Sequence, residues 1–169
     1  MPILVLAEMP NLLPPRSRLL GLDIGTKTIG LAISDPGLAV ASPIDTIRRG
    51  KRFTDDAKAL LALIDRRGVG GLILGLPINM DGNEGPRCQS VRAFAENLSK
   101  LRDLPVAFWD ERLSTAAVNR FLIGEADMSR KRRSQVVDKM AAAYILQGAL
   151  DAMREGTRSD FPSPSMGEG

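Results

Sequence analysis

Leu19-Leu-Gly-Leu-Asp-Ile-Gly-Thr-Lys-Thr-Ile-Gly-Leu-Ala-Ile-Ser-Asp35 carries the clearest strand pattern in this sequence. It contains two apolar runs, 19–26 and 28–35, which meet at Gly25-Thr-Lys-Thr28 in a pattern typical of a β-hairpin. In the second run isoleucine and leucine alternate with glycine, alanine and serine, so one face of the strand is apolar and the other is open to close approach. The hairpin therefore predicts an antiparallel strand pair with an acid, Asp23, in its first strand.

The rest of the chain alternates between helical and strand-like patterns. Apolar residues three or four apart predict helices, and short apolar runs bounded by glycine or proline predict strands. Pro43 confines the third strand to an edge or a bulge, because proline cannot donate to a sheet. After the hairpin, the predicted elements are a strand at 38–47, a helix at 53–67, a strand at 71–75, a helix at 86–101, a strand at 106–111, and helices at 114–123 and 135–153.

This order of elements predicts an α/β fold with one mixed five-stranded sheet. The first three strands form an antiparallel meander, and parallel strands continue it through right-handed crossover helices that pack on the faces of the sheet. A ligand site is expected at the strand ends where the winding changes. Residues 1–17 carry four prolines and are expected to form a flexible extension outside a domain at 18–154, and residues 155–169 a disordered tail.

The composition excludes several kinds of enzyme. The 169 residues contain no histidine and one cysteine, Cys88, which excludes histidine-dependent hydrolases, His-ligated zinc, Cys-based metal sites and intrachain disulfides. Acid–base chemistry must come from carboxylates, lysine or metal-bound water. A net charge of +3 and a pI of about 9.3 permit a polyanionic partner. The sequence shows no membrane-spanning run and no signal peptide, so the expected location is the cytoplasm.

Three acidic residues occur where strands and a helix can bring them together. Asp23 interrupts an apolar strand, Glu111 closes a later strand, and Asp138 lies near the start of the last helix. Three carboxylates around one point repel each other unless a cation binds between them, and hard oxygen ligands suit Mg²⁺ or Mn²⁺. Each acid also has an ordinary structural explanation, such as backbone amides near Asp23 or the helix dipole at Asp138. The pattern favours a metal-dependent enzyme.

Asp110 and Glu111 are neighbours on a strand, so they point to opposite faces and only one of them reaches a given site. The residue pattern leaves the choice between them open. The other acid is then a structural partner, for Arg112 or for the helix that follows.

The loop at 75–85 carries groups suited to a phosphate. It precedes a helix N-terminus, where backbone amides and the dipole favour an anion, and Gly82 and Gly85 would allow the positive φ values of an anion-binding nest. Asn79 and Arg87 could add contacts to phosphate or base. An ordinary glycine-rich connection explains the same pattern equally well.

Two basic clusters also stand out. Arg130-Lys-Arg-Arg133 is predicted in a loop before the helix of Asp138, where it would overhang the proposed site. Arg48-Arg-Gly-Lys-Arg52 has the composition of a solvated loop.

Four motifs, in order and with suitable spacing, resemble the YqgF (RuvX) family, whose members are described as pre-16S ribosomal RNA nucleases and Holliday-junction-resolvase-like proteins. The resemblance covers about residues 18–153 and implies an RNase H-like fold. It assigns the acidic triad to Asp23, Glu111 and Asp138, and so favours Glu111 over Asp110. The motifs are Leu22-Asp-Ile-Gly-Thr-Lys-Thr-Ile-Gly-Leu-Ala-Ile-Ser-Asp35, Gly75-Leu-Pro through Gly82 and Gly85, Asp110-Glu-Arg-Leu-Ser114, and Val137-Asp-Lys-Met-Ala-Ala142.

The mechanism that the resemblance implies is two-metal hydrolysis of phosphodiesters, with Mg²⁺ or Mn²⁺ ions about 3.5–4 Å apart. Asp23 would bridge the ions, and Glu111 and Asp138 would complete the site. The expected function is 5′-end processing of pre-16S rRNA by a monomer or homodimer. The residues predicted to contact nucleic acid are Lys27, Asn79, Arg87, Arg112, Arg130, Lys131, Arg132 and Arg133.

Three other functions remain open at this point. The same fold handles branched DNA, so a Holliday-junction resolvase is one, and a non-catalytic RNA-binding assembly factor is another. Asp-x-Gly-Thr in a hairpin also resembles the phosphate loop of actin-like ATPases and sugar kinases. Those proteins pair two related domains, and this sequence shows no second copy.

Overall fold

The structure, a computed structural model, describes residues 3–113 and 130–159, with side chains described for 5–113 and 139–155. Its strands and helices follow the predicted order. In chain order they are β1 (Ile3–Leu4), a 3₁₀ turn (Leu6–Glu8), α1 (Met9–Leu12), β2 (Arg18–Ile24), β3 (Thr28–Ser34), β4 (Ala41–Arg48), α2 (Phe53–Arg67), β5 (Val69–Leu76), α3 (Pro86–Leu101), β6 (Val106–Asp110), a second 3₁₀ turn (Glu111–Leu113) and α4 (Arg130–Ser159).

The strands form one mixed sheet in the order β1-β6-β5-β2-β3-β4. β2 pairs with β5 in parallel and with β3 antiparallel, so the direction of neighbouring strands changes at β2. The predicted five-stranded sheet is confirmed, and the two-residue β1 adds a sixth strand beside β6. Pro43 lies on the edge strand β4, opposite Ala32, where the register shifts, in agreement with the prediction of an edge or a bulge.

The two faces of the sheet pack against different helices. The large side chains of β2, β3 and β5 pack with α2 and α3 in one apolar core, which includes Leu22, Leu31 and Leu74. Smaller residues of the same strands, among them Ala32, pack against α4 in a second core. Because side chains alternate along a strand, the sequence of the hairpin alone separates these two faces.

Local signals in the sequence explain the ends of α2 and α3. α2 ends at Gly68, which has φ +66° and is therefore in the left-handed conformation that glycine adopts at helix ends. Pro86 lies in the first turn of α3, where its missing N–H costs nothing. Both predicted ranges, 53–67 and 86–101, are confirmed.

The helix α4 lies close to the sheet because glycines leave room for it. A Cβ on Gly21 of β2 would lie 2.7 Å from Cβ of Leu146, and a Cβ on Gly148 of α4 would lie 2.8 Å from Cζ2 of Trp109. Gln147 fixes the helix to the start of β4, since its Oε1 accepts from the amide of Ala41 at 2.8 Å. This contact between helix and sheet fixes the helix position along the strands.

The N-terminal segment differs from its prediction as an extension outside the fold. Ile3 and Leu4 pair with Val106 and Ala107 of β6, and Met9 is fully buried in the core beneath α4. Isolated prolines end short helices and strands without preventing the segment from packing, which explains the difference.

The last helix also differs from its prediction. α4 begins at Arg130 and continues to Ser159, so the basic cluster Arg130–Arg133 forms its first turn instead of a preceding loop, and the helix extends past the predicted domain end at 154. The predicted helix at 114–123 and the last ten residues of the predicted tail lie outside the described residues. Within the described ranges no helix is long and apolar enough to cross a membrane.

Candidate active site

Asp23 lies near the C-terminal end of β2, the strand that has a parallel neighbour on one side and an antiparallel neighbour on the other. Its Cα pairs with that of Gly30 on β3, and the neighbouring pair on the other side is Leu22 with Leu74 of β5. Only 6% of the Asp23 surface is exposed. A carboxylate this buried requires partners that satisfy its charge. Side chains alternate along a strand, and Leu22 and Ile24 face α2 and α3. Asp23 therefore lies on the opposite face, which α4 covers.

Glu111 reaches the same face from β6. The strand β6 ends at Asp110, one residue earlier than predicted, and Glu111 begins the 3₁₀ turn that follows. Its Oε2 lies 3.1 Å from the point that a Cβ on Gly75 would occupy, and Ile145 of α4 lies 2.5 Å from that point. Since Gly75 is one residue beyond the pair Leu22–Leu74, Asp23 and Glu111 flank the same glycine from two neighbouring strands.

The third predicted acid, Asp138, belongs to α4, and its side chain lies outside the described residues. The helix begins at Arg130, so Asp138 is its ninth residue, and the prediction that it lies near the helix start is wrong. The helix dipole acts only within the first turn and cannot explain an acid at this position. Asp138 precedes Ala142 by four residues and Ile145 by seven, and positions with those spacings share one face of a helix. Ala142 and Ile145 both pack against the sheet.

Asp110 faces away from this site and pairs with Arg112. The guanidinium of Arg112 donates to both carboxylate oxygens of Asp110, the shortest distance being 2.7 Å, and the backbone amide of Arg112 donates to Oδ1 at 2.9 Å. The guanidinium hydrogen bonds hold the pKa of Asp110 below its ordinary value and raise that of Arg112. The interpretation of Asp110 as a structural partner of Arg112 is confirmed.

The loop between β5 and α3 is closed by its own backbone. The carbonyl of Asn79 accepts from the amide of Gly82 at 2.8 Å and from Nη1 of Arg112 at 3.5 Å. Gly82 has φ +91°, as predicted. Gly85 has φ −89°, so the prediction of positive φ there is wrong, and this residue instead caps the N-terminus of α3.

A buried ion pair supports the turn that follows Asp23, and sequence reasoning missed it. Asp56 is only 2% exposed, and Nε of Arg49 donates to its Oδ2 at 3.0 Å. Nη1 of the same arginine donates to the carbonyl of Gly25 at 2.8 Å, and its backbone amide donates to the carbonyl of Lys27 at 2.8 Å. Arg87 donates to the carbonyl of Ile24 at 3.3 Å.

The sequence gives only a weak indication that Arg49 pairs with Asp56. An acid in the first turn of a helix, seven residues after an arginine, is too common a pattern to indicate burial. The two side chains meet because only four residues, 49–52, connect β4 to α2, which places the first turn of α2 beside Arg49.

The predicted nucleic-acid contacts that the structure describes are exposed at the same end of the sheet as Asp23. Lys27 lies in the hairpin turn, Asn79 in the loop after β5, and Arg87 in the first turn of α3. Arg112 is exposed as well but is held by Asp110. The remaining four, Arg130, Lys131, Arg132 and Arg133, belong to α4, and their side chains lie outside the described residues.

The donor set at this site suits a hard divalent cation. Asp23 and Glu111 are carboxylates on one face of the sheet, and oxygen ligands are those that Mg²⁺ and Mn²⁺ prefer. Among the side chains that the structure describes, no group of three potential ligands forms a cluster, and Asp138 is not one of those side chains. The described part of the site therefore offers two carboxylates on the face of the sheet that α4 covers.

Comparison with known proteins gives a consistent result along the chain. A family model described as "RuvX: Holliday junction resolvase" matches residues 17–152. A protein of Paramagnetospirillum magneticum (strain ATCC 700264 / AMB-1), named "Putative pre-16S rRNA nuclease", is 68% identical over 151 residues, which cover 89% of this chain and 96% of that protein. A Rhodospirillum rubrum protein of the same name is 64% identical over 153 residues, covering 90% of this chain and 94% of that protein.

A solved structure shares the fold at low sequence identity. RuvC of T. thermophilus, in complex with a Holliday junction substrate, superposes with a TM-score of 0.53 at 14% identity and covers 83% of this chain and 97% of that one. The predicted RNase H-like fold is confirmed.

Proposed function

The chain belongs to the RuvX family, and on that premise we propose that it is a metal-dependent endonuclease that hydrolyses phosphodiester bonds in the 5′-end processing of pre-16S rRNA. The choice of substrate is supported by the relatives that carry this name at 68% and 64% identity. The proposed location is the cytoplasm, since a single buried cysteine, Cys88, suits a reducing compartment.

One observation supports the catalytic part of the proposal more than any other. Asp23 and Glu111 come from strands that are not neighbours in sequence, yet both flank Gly75 on the face that α4 covers. Without a side chain at Gly75, Glu111 and Ile145 of α4 both come close to the backbone of β5, which brings the helix and the carboxylate to the same point of the sheet. Carboxylates gathered at strand ends where the winding changes are typical of a ligand site in this class of sheet.

Asp23, Glu111 and Asp138 are the residues that would hold the divalent cations. When bound, Mg²⁺ or Mn²⁺ supplies charge stabilisation and lowers the pKa of a coordinated water. The protein's own part is to fix the carboxylates. Arg49 and Arg87 hold the backbone carbonyls of Gly25 and Ile24, the two residues after Asp23, so the strand end cannot rotate the carboxylate away from its neighbour.

The exposed Lys27, Asn79 and Arg87 would bind the phosphate backbone beside the site. Contacts to phosphate fix the position and direction of a nucleic acid without reading its sequence. With the nucleic-acid strand so placed, one phosphodiester would lie over the acids. The arginines and Lys131 of the first α4 turn are proposed to act in the same way.

A second function, cutting of branched DNA, is favoured by the family description itself. Resolution of a junction requires two symmetric cuts and hence two active sites in a homodimer. Cleavage of one RNA strand requires only one active site, which a monomer provides. We therefore place pre-16S rRNA first and the DNA junction second.

The test is cleavage of a precursor 16S rRNA fragment that contains the 5′ leader, with Mn²⁺ and then with EDTA. Asp23→Asn and Glu111→Gln should each lower the rate by at least about 10³-fold, as expected for groups that act at the reacting atoms. Asp110→Asn is the matched control, since this neighbouring acid serves Arg112 on the other face, and it should cut within a few-fold of the wild type.

A four-way DNA junction in parallel assays separates the two substrates. If the protein cuts the DNA junction and leaves the RNA intact, junction resolution becomes the first proposed function and rRNA processing is contradicted. Tight RNA binding without metal-dependent cutting by the wild type would contradict the nuclease and favour an assembly factor.

A further inference from the structure

Four exposed cations occur together at the end of the sheet that holds Asp23. They are Lys27 in the hairpin turn, Arg48 at the end of β4, and Lys51 and Arg52 before α2. We call these four side chains the basic ledge. Within the described residues none of them forms an ion pair, in contrast to Arg49, whose guanidinium is directed inward to Asp56.

The strand register places Arg48 of the ledge on the same face as the acids. Asp23 pairs with Gly30 and Gly30 with Thr46, so these three form one row across the sheet. Arg48 lies two residues beyond Thr46 on β4, so its side chain lies on the same face as Thr46 and Asp23. The amide of Arg49 donates to the carbonyl of Lys27 at 2.8 Å, which joins the hairpin turn to the end of β4.

The distance suits an extended nucleic-acid strand. Two strand spacings, about 10 Å, and two residue steps, about 7 Å, separate Asp23 from Arg48, so their Cα atoms are about 12 Å apart. At about 3.4 Å per nucleotide in a stacked strand, this is about four nucleotides. A strand cut at Asp23 would therefore pass over the ledge within a few residues of the cut.

Acidic neighbours neutralise the charge of the ledge only in part. Asp56 is buried and used by Arg49 and the amide of Gly50. Asp45 is paired in register with Leu31 and so faces the opposite side of the sheet. Asp55, whose carboxylate approaches Gly50, is the exposed acid beside the four cations. An excess of unpaired positive charge on one exposed surface favours a polyanion.

We propose that the basic ledge of Lys27, Arg48, Lys51 and Arg52 binds the phosphate backbone of the substrate RNA strand on the β4 side of the scissile bond. The proposal rests on the function proposed above for the substrate and adds the direction in which the strand leaves the site. The ledge positions the strand and takes no part in the chemistry, so its loss should raise KM and leave kcat unchanged.

The test measures the salt dependence of RNA binding. Arg48→Gln, Lys51→Gln and Arg52→Gln are combined, and the Kd for a fluorescent single-stranded leader RNA is measured from about 50 to about 300 mM KCl in EDTA. Three lost phosphate contacts should lower the slope of log Kd against log salt by about 2, at about 0.7 per contact. The matched control combines Arg66→Gln, Arg67→Gln and Lys100→Gln, which remove the same charges from the C-terminal ends of α2 and α3, at the opposite end of the sheet.

The outcomes separate this proposal from the nuclease assignment. An unchanged slope in the ledge variant, an equal fall in both variants, or a wild type that does not bind RNA would overturn the ledge. If the slope falls only in the ledge variant while the wild type cuts no RNA, the ledge stands and the nuclease assignment fails. Thermal melting of both variants within a few degrees of the wild type shows that the fold is intact.

Discussion

The two faces of the same sheet are built from opposite kinds of residue. On the α2 and α3 side, β2 presents Leu20, Leu22 and Ile24, all nearly inaccessible to water. On the α4 side, the same strand presents Leu19, Gly21 and Asp23. Neighbouring strands repeat the contrast, with leucines on one side of β5 and two glycines among the residues on the other.

This difference suggests that one face of the sheet contributes mainly to folding stability and the other to activity. The leucine face packs with α2 and α3 in a large apolar core, and burial of this kind stabilises the folded state. The glycine face lets α4 approach the backbone of the strands closely, so little room remains between the helix and the sheet. The close approach also places helix residues beside the strand ends. Substitutions on the first face should change the free energy of unfolding, and those on the second should change activity at least as much.

The largest stability effect is expected from Leu22→Ala. Leu22 is fully buried in the core that the sheet forms with α2 and α3, so its loss leaves a cavity, and the free energy of unfolding should fall by about 2–5 kcal/mol. Chemical denaturation measures this change. The folded fraction should still cut RNA with a kcat near that of the wild type, because Leu22 faces away from the acids. A kcat that falls in step with stability would contradict the separation of the two faces.

A smaller stability effect with a larger loss of activity is expected from Gly75→Ala. The added Cβ would lie 2.5 Å from Cδ1 of Ile145 and 3.1 Å from Oε2 of Glu111, so the Ile145 side chain must shift and the Glu111 carboxylate must give way. Overpacking of this kind costs about 1–3 kcal/mol. A displacement of about 1 Å at a reacting group lowers kcat by about 10²-fold. Urea melts and single-turnover cleavage measure the two effects separately.

Gly68→Ala is the control for that variant. Gly68 has φ +66°, and a Cβ added there would have no other atom within 4 Å, so alanine strains the backbone by about 1 kcal/mol and touches nothing. This variant should lose stability and keep its activity. Equal losses of activity in the two glycine variants would show that the site responds to stability in general.

The smallest effect is expected at Asp110. Hydrogen bonds from Arg112 lower the folded-state pKa of Asp110, so the pair stabilises the protein fully above the unfolded pKa of about 3.9 and loses its effect as the pH falls through the lower folded value. Because both side chains are partly exposed, Asp110→Asn should lower the free energy of unfolding by no more than about 1 kcal/mol at neutral pH. The difference from wild type should shrink below a pH of about 4 in urea melts, and a difference that is constant with pH would contradict this assignment.

Patterns local in sequence predicted most of the fold. The ranges of α2 and α3 and the hairpin of β2 and β3 follow from apolar spacing, proline and glycine, because each signal acts within a few residues of the element it defines. The start of α4 did not follow, since Arg130–Arg133 carries charge without apolar period and is equally compatible with a loop or a helix. Packing of the N-terminal segment on β6 was missed because a two-residue strand has no period to detect.

Composition and local pattern define the chemistry available to this protein: without histidine and with one cysteine, carboxylates are the side chains that it can offer to a hard cation, and alternation along the hairpin puts Asp23 on the face opposite Leu22 and Ile24. Tertiary structure alone decided that Glu111 meets Asp23 across Gly75 while Asp110 binds Arg112, and that Arg49 supports the turn after Asp23 through Asp56. The physical reason is that alternation along a strand gives each residue a face, whereas the order of strands in the sheet, which depends on contacts distant in sequence, decides which faces meet.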